Sequence, residues 1–220
     1  IGALENTTNI RRYLGQANLY AALYFAASRM RLAPEGWLVY AESTQTSMSL
    51  ADFDRAIATL ESTTYVKNYL GRAGFYDMAY FAASRMRLEN SQWLVYAEST
   101  NQYMRINDFD QAIGALENTT NIRRYLGQAN FYDMLWFVIT RMELTDGRWY
   151  FRLTENPEAK MELRIFDQAM GALGEQLSRY PQLHGLRKAS QAVVNPPKVL
   201  KQEGIVPAKE NVAPVKDVMR

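Results

Sequence analysis

Two pairs of aspartates, each separated by one residue, are the first groups in this sequence that could bind a metal ion. They form the motif Asp-Phe-Asp at 52–54 and again at 108–110. Carboxylate oxygens are the ligands that divalent cations such as Ca²⁺ and Mg²⁺ prefer. A third occurrence at 165–167 reads Ile-Phe-Asp and has lost the first carboxylate. Because aspartates also cap helices and favour the helix dipole, we interpret the pairs as helix caps and predict no metal site.

Groups for catalysis are few. The chain has a single histidine, His184, and no cysteine. One histidine without cysteine cannot assemble a zinc site, and a Ser-His-Asp triad would need a nucleophile and a carboxylate beside it. Neither a G-x-G-x-x-G motif nor a phosphate-binding P-loop motif occurs. We therefore predict no catalytic residue, no cofactor and no enzymatic activity.

A repeated segment of about 56 residues dominates the sequence. Ile1–Asn18 recurs letter for letter at Ile113–Asn130, and a diverged version occupies Ile57–Gly74. Identity over this length predicts tandem repeats. The expected domains are segment 1 (1–56), segment 2 (57–112), segment 3 (113–168), a closing helix (169–185) and an extended tail (186–220). Because segment 1 begins in the middle of the repeat, we expect the natural protein to extend before Ile1.

The helical part of each repeat is indicated by its apolar spacing. Phe53, Ala56, Ile57 and Leu60 lie at i, i+3, i+4 and i+7, which is the pattern of one buried helix face. Asp52 stands where an N-cap residue is expected. The stretch that ends at Gly71 predicts a second helical turn closed by a glycine cap.

A three-stranded antiparallel meander is predicted to follow, so the fold class is α+β. In segment 3 the run 135–144 is rich in Trp, Phe, Val, Ile and Thr, which favours a strand. The pair Asp146-Gly147 predicts a hairpin turn, and strands at 149–154 and 161–165 complete the meander. By equivalence, the sequence FAASRM in segments 1 and 2 is also predicted to be a strand.

Alternation along these strands assigns one face, with Trp149 and Phe151, to the core. The opposite face combines aromatic and arginine residues and is the candidate partner-binding surface. Its candidate residues are Phe25, Arg29, Arg31, Tyr40, Phe81, Arg85, Arg87, Tyr96, Arg105, Phe137, Arg141 and Arg152.

Three interpretations of this face remain open. Its residues can pack against a neighbouring repeat, as apolar strand residues often do. They can contact another protein, because tyrosine and arginine are enriched at interfaces. They can also bind single-stranded nucleic acid, with bases stacked on the aromatic rings and phosphates held by the arginines.

The tail, 186–220, lacks helical or alternating periodicity and contains four of the seven prolines. Such a composition does not fold alone. Apolar residues nevertheless punctuate it, and an extended strap across a partner is the expected arrangement. The candidate contact residues in the tail are Val199, Leu200, Ile205 and Val206.

Charge and hydropathy restrict the partners further. The net charge is +2; the tail has seven Lys or Arg and three Asp or Glu, so it carries +4 and the remainder carries −2. A slightly acidic folded part argues against bulk binding of duplex DNA. No apolar run reaches the roughly 18 residues that cross a bilayer, so we expect no membrane span. The sequence predicts a structural or scaffolding repeat subunit that binds other protein subunits, with single-stranded nucleic-acid binding as the alternative.

Overall fold

The computed structural model describes residues 1–15, 17, 19–42, 44–126, 129–152 and 159–179. These residues form an α+β fold in which three separate three-stranded sheets alternate with groups of helices. The predicted tail and its candidate contacts lie outside the described residues, as does His184. Among the helices of the described part, none is both long and apolar enough to cross a membrane.

The helices fall into three rows at equivalent places in the repeated sequence. The first row is α1 (Gly2–Glu5), α4 (Leu50–Ser62), α7 (Ile106–Glu117) and α10 (Leu163–Arg179). The second row is α2 (Ile10–Leu14), α5 (Val66–Leu70) and α8 (Arg123–Leu126). The third row is α3 (Leu19–Arg29), α6 (Phe75–Arg85) and α9 (Phe131–Arg141).

Each sheet is an antiparallel meander with its middle strand in the centre. Segment 1 contains β1 (Met30–Ala33), β2 (Gly36–Ala41) and β3 (Thr46–Ser49), and segment 2 contains β4 (Met86–Glu89), β5 (Gln92–Ala97) and β6 (Gln102–Arg105). Segment 3 contains β7 (Met142–Thr145), β8 (Arg148–Arg152) and β9 (Lys160–Glu162). The register is equivalent in all three: Met30 pairs with Val39, Met86 with Val95, and Met142 with Phe151.

The third row of helices corrects the sequence prediction. The predicted strand at 135–144 is helical up to Arg141, and only its last residues enter β7. Phe131, Met134, Leu135 and Val138 are all buried and have the i, i+3, i+4, i+7 spacing of a helix face. Burial of this face outweighs the strand preference of its β-branched residues. The FAAS part of FAASRM is likewise helical, in α3 and α6.

The predicted caps are also partly wrong. The N-cap of α4 is Ser49, whose hydroxyl accepts the N–H of Asp52 at 3.0 Å and donates to the Asp52 carboxylate at 2.7 Å. Asp52 therefore lies in the first turn of α4, and its carboxylate holds the capping hydroxyl in place. Gly71 does occupy the C-cap position of α5, but with φ −62° it does not use the left-handed conformation of a glycine cap.

Buried phenylalanines join the rows of helices into one core. Phe25 of α3 stacks on Phe53 of α4 at 5.5 Å between ring centroids and meets Phe75 of α6 edge-on at 5.7 Å. Phe81 makes the equivalent contacts in the next segment, with Phe109 at 5.7 Å and with Phe131 at 5.9 Å. Edge-on and offset ring pairs are the favourable aromatic geometries, so each segment is tied to the following one.

The expected core face of the sheets is confirmed at their centres. Val39, Val95 and Phe151 are buried at equivalent positions of the three middle strands. The tryptophans at the ends of these strands are less enclosed, since Trp149 and Trp93 are half-buried and Trp37 is exposed.

The hairpin predicted at Asp146-Gly147 is present, because Thr145 pairs with Arg148 across a two-residue turn. Both turn residues have positive φ, 51° and 73°, as the type I′ turn requires. In segment 2 the equivalent position is Ser91 with φ 63°, a conformation that glycine adopts more readily than serine.

We therefore expect opposite effects from a reciprocal exchange at this turn position. Ser91→Gly should raise the free energy of unfolding by about 0.5–1 kcal/mol, and Gly147→Ser should lower it by about the same amount. Urea denaturation of both variants measures the two changes. Changes of the same sign would contradict the role assigned to the backbone conformation.

Candidate partner-binding surface

The helical third row divides the predicted surface into buried and accessible parts. Phe25, Phe81 and Phe137 were expected on an outer strand face, but they lie on α3, α6 and α9 and are buried in the core. This part of the prediction is wrong, because a helical period of 3.6 directs these side chains inward where a strand period of 2 would not.

The arginines that end these helices lie between one segment and the next. Arg29 forms an ion pair with Glu42 at 2.9 Å, and its guanidinium carbon lies 5.3 Å from the ring centre of Tyr80 in α6. Its distance to the ring of Tyr40, on the middle strand of its own segment, is 6.0 Å. Both distances fall within the range of cation–π attraction.

Arg85 repeats this arrangement one segment later. It pairs with Glu98 at 2.5 Å and lies 5.1 Å from the ring centre of Trp136 and 6.0 Å from that of Tyr96. Each of these arginines therefore connects its own sheet to the following helix of the third row. The equivalent Arg141 is half-buried at the end of α9.

Outer residues of the sheet in segment 2 form a second arginine–aromatic group. The guanidinium carbon of Arg87 lies 3.5 Å from the ring centre of Tyr103. The same guanidinium forms an ion pair with Glu89 at 2.6 Å. Tyr96 packs against Tyr103 at 5.3 Å between ring centroids.

Two further predicted arginines are exposed and lie outside this group. Arg105 ends β6 and pairs with Asp108 in the first turn of α7 at 2.9 Å. Arg31 is exposed on β1. The sequence correctly placed Arg31, Tyr40, Arg87, Tyr96, Arg105 and Arg152 within strands.

Segment 3 replaces the arginine–aromatic pairs with an ion network. Glu143 contacts Arg152 and accepts a hydrogen bond from Lys160 at 3.0 Å. Burial alone would raise the pKa of Glu143, but hydrogen bonds from Lys160 and Thr145 and the charge of Arg152 hold that pKa below its usual value. This face is therefore fixed by charges within the same sheet.

Sequence reasoning missed a row of aromatic residues on the helices of the third row. We call this row the aromatic ladder; its residues are Tyr20, Tyr24, Tyr76, Tyr80, Tyr132 and Trp136. Each helix contributes a pair at i and i+4, with ring centroids 6.1 Å apart in α3, 5.8 Å in α6 and 5.7 Å in α9. The i, i+4 spacing of aromatics was the available signal.

A ring contact joins the ladder between α3 and α6, and a cation–π contact lies beside it between α6 and α9. The rings of Tyr24 and Tyr76 are 5.9 Å apart, which joins α3 to α6. Between α6 and α9, the guanidinium carbon of Arg85 lies 5.1 Å from the ring centre of Trp136. Burial raises the pKa of Tyr132, with a smaller contribution from Tyr80. Tyr20 and Tyr24 are exposed, and the other four rings are half-buried. The ladder thus presents partly or fully exposed aromatic side chains on α3, α6 and α9.

The Asp-Phe-Asp motifs have a structural use that does not involve a metal. Asp110, the second aspartate, accepts backbone N–H groups of Thr64 at 3.0 Å, Tyr65 at 2.8 Å and Val66 at 2.9 Å. It therefore caps α5, a helix that lies 44 residues earlier in the chain. This supports the capping interpretation, although the capped helix is not the one that carries the aspartate.

The same cap recurs in the other two segments. Asp54 accepts the N–H groups of Asn9 and Ile10 at 2.9 Å. Asp167 accepts those of Asn121 and Ile122 at 2.8 Å. Burial would raise the pKa of Asp167, but these backbone donors hold that pKa below its usual value. Over the described residues, no group of three or more metal-ligating side chains is found.

Comparison with family models, with curated proteins and with solved structures finds no match for this chain. The arrangement of its own residues is therefore the basis for a functional proposal.

Proposed function

We propose that this chain is a non-catalytic tandem-repeat scaffold that binds another protein along the aromatic ladder. The observation that carries the proposal is the recurrence of partly exposed aromatic pairs on α3, α6 and α9. Tyrosine and tryptophan provide large contact area at low cost in side-chain entropy. Repetition of the same side chains at regular intervals suits a partner that is itself extended or repetitive.

The charges beside the ladder favour a protein partner over nucleic acid. Arg29 and Arg85 lie next to the ladder, but each already pairs with a glutamate. An arginine that is neutralised in this way offers little to a phosphate, whose binding depends on unpaired positive charge. The tail of the chain, with its apolar residues and net charge of +4, is proposed as a second contact with the same assembly.

Single-stranded nucleic acid is the alternative partner. It is supported by the stacked, partly exposed rings, because a base can stack on any aromatic face. Exposed cations on the second row of helices, such as Arg11, Lys67 and Arg123, would provide phosphate contacts. The two proposals predict different salt dependence and different sensitivity to nuclease.

The test is affinity capture with the full chain from its natural source, with and without nuclease. The variant Tyr80→Ala/Trp136→Ala removes two ladder rings. We expect it to capture at least about tenfold less of the protein partner than the wild type does. The control variant is Tyr150→Ala, which removes a half-buried ring of the third sheet outside the ladder. Equal capture by the ladder variant and the wild type would contradict the proposal.

A direct measurement separates the alternative. Fluorescence anisotropy measures the binding of a single-stranded oligonucleotide to the chain. If the partner is a protein, we expect no oligonucleotide binding that both weakens steeply with salt and requires the ladder residues. Micromolar binding that weakens steeply with salt and is lost in the Tyr80→Ala/Trp136→Ala variant would establish nucleic acid as the partner instead.

A further inference from the structure

Each of the three sheets carries a charged residue at the second position of its first strand. These residues are Arg31 on β1, Arg87 on β4 and Glu143 on β7. In segment 2, Arg87 packs against the ring of Tyr103 and forms an ion pair with Glu89. In segment 3, Glu143 forms ion pairs with Arg152 and Lys160. In both segments the charge is therefore satisfied by other residues of the same sheet.

Segment 1 has the charge without these partners. Ser47 occupies the position that Tyr103 has in segment 2, and Ala33 occupies the position of Glu89. Within the described part of the chain, Arg31 makes no hydrogen bond, ion pair or ring contact, and its side chain is exposed. Arg31 therefore lacks both the aromatic ring and the carboxylate that its equivalent contacts.

An open cavity of about 540 Å³ lies beside Arg31. Its lining at this end consists of Arg31, Tyr40, Gln45, Thr46 and Ser47. In both segments the strand register places the position of Ser47 opposite the tyrosine of the middle strand. The cavity therefore includes the place that the ring of Tyr103 takes in segment 2.

The open place beside Arg31 results from the side chains of segment 1 itself. In the described part of the chain, Arg87 and Glu143 take their ion pairs, hydrogen bonds and ring contacts from their own sheets and not from a preceding segment. The helix end of the cavity, at Ser28 and Arg29, is different, because the equivalent residues of segment 2 line a cavity together with Glu42 of the preceding segment. We therefore assign a site only at the end beside Arg31.

We propose that this site binds a small aromatic acid, whose ring packs against the Arg31 guanidinium and whose carboxylate pairs with it. These are the two groups that Arg87 receives from Tyr103 and Glu89. A guanidinium attracts the face of an aromatic ring and also pairs with carboxylates. A methylene between ring and carboxylate lets each group take its own position, so the ligand class is an arylacetate. The site lies outside the aromatic ladder and does not depend on the proposed function.

Binding of 4-hydroxyphenylacetate to the full chain tests this proposal, with the chemical shifts of the backbone amides as the readout. For a ligand of this size we expect a Kd on the order of 1 mM, and shift changes confined to Arg31 and residues 45–47. Two fragments serve as controls: 4-methylphenol lacks the carboxylate, and acetate lacks the ring. Each should bind at least about tenfold more weakly, because it supplies only one of the two groups.

Variants locate the site. Ser47→Tyr reproduces the arrangement of segment 2 and should abolish binding, while the amide spectrum retains its folded pattern. Arg31→Gln should weaken binding at least about tenfold. Arg105→Gln is the matched control, since it removes an exposed arginine that pairs with Asp108, and it should bind as the wild type does. The reciprocal variant Tyr103→Ser/Glu89→Ala should gain a second site, with new shift changes around Arg87.

Three results would overturn the proposal: no shift change at about 20 mM ligand, binding of acetate as tight as that of the aromatic acid, or binding that persists in Ser47→Tyr. The peptide Gly-Tyr-Glu-Gly presents the same two groups on protein side chains. Tighter binding of this peptide than of the free acid would assign the site to a protein partner and overturn the small-molecule assignment.

Discussion

Asp110→Ala is expected to lower the free energy of unfolding by about 3–5 kcal/mol. Asp110 is 5% exposed, and its carboxylate accepts the N–H groups of three consecutive residues at the start of α5. Removing it leaves the buried N–H of Val66 without a partner, which costs about 1–3 kcal/mol, and it also removes the two part-buried hydrogen bonds from Thr64 and Tyr65. Guanidinium denaturation followed by circular dichroism measures the loss.

Asp108→Ala is the matched control, since it removes the other carboxylate of the same motif. Asp108 pairs with Arg105, whose side chain is exposed, and exposed ion pairs contribute at most about 1 kcal/mol. The loss should therefore be several times smaller than for Asp110→Ala. Equal losses would show that the motif acts as a unit and that the long-range cap is not its main contribution.

The caps explain which residue of the motif is kept in all three segments. Asp54, Asp110 and Asp167 each bind a helix about 45 residues earlier, whereas the first aspartate is replaced by Ile165 in segment 3. A cap that spans this distance links the first and second rows of helices. Sequence reasoning recognised capping from the residue type, but local spacing could not reveal that the capped helix lies in the preceding part of the chain.

Much of the fold followed from local patterns. The buried face of α4, the hairpin at Asp146-Gly147 and the three-stranded meanders were predicted from apolar spacing and turn residues. The helices of the third row were missed because Val138, Ile139 and Thr140 favour strands in isolation. Their helical conformation is stabilised by burial against other segments, which is a tertiary effect that propensity does not contain.

The candidate surface was predicted less well, and for the same reason. Treating α3, α6 and α9 as strands placed Phe25, Phe81 and Phe137 on an outer face, where a helix buries them. It also missed the aromatic pairs, because residues at i and i+4 are direct neighbours on a helix surface but lie about 13 Å apart along a strand. The strand residues Arg87 and Tyr96 were placed correctly, because β4 and β5 were predicted with the right alternation.

A close contact between α7 and the start of α5 leads to the second large effect. A β-carbon added to Gly114 would lie 2.7 Å from Cδ2 and Cζ of Tyr65 and closer still to Cε2. A β-carbon and a ring carbon do not approach so closely, so the ring of Tyr65 would have to move. At the equivalent positions Asn9 of segment 1 accompanies Ala58, and Asn121 of segment 3 accompanies Gly171. Asn121 also lies close to a β-carbon built at Gly171, at 2.7 Å, so of the three pairs the one that tolerates a β-carbon is Asn9 with Ala58.

Gly114→Ala is therefore expected to lower the free energy of unfolding by about 2–3 kcal/mol through overpacking. The sign is informative, because alanine in place of glycine within a helix otherwise stabilises by about 1 kcal/mol. In a Tyr65→Asn background, which reproduces the smaller partner of segment 1, the same change should cost less than about 1 kcal/mol. A double-mutant cycle by urea denaturation gives the coupling between the two positions.

Gly2→Ala provides the control at the same place in the repeated sequence. No atom lies within 4 Å of a β-carbon built at Gly2, so this change should be neutral or slightly stabilising. A loss at Gly114 that persists undiminished in the Tyr65→Asn background would show that the ring is not the obstacle. A neutral Gly114→Ala would mean that Tyr65 can move aside without cost, and that the contact between α7 and the start of α5 is not tightly packed.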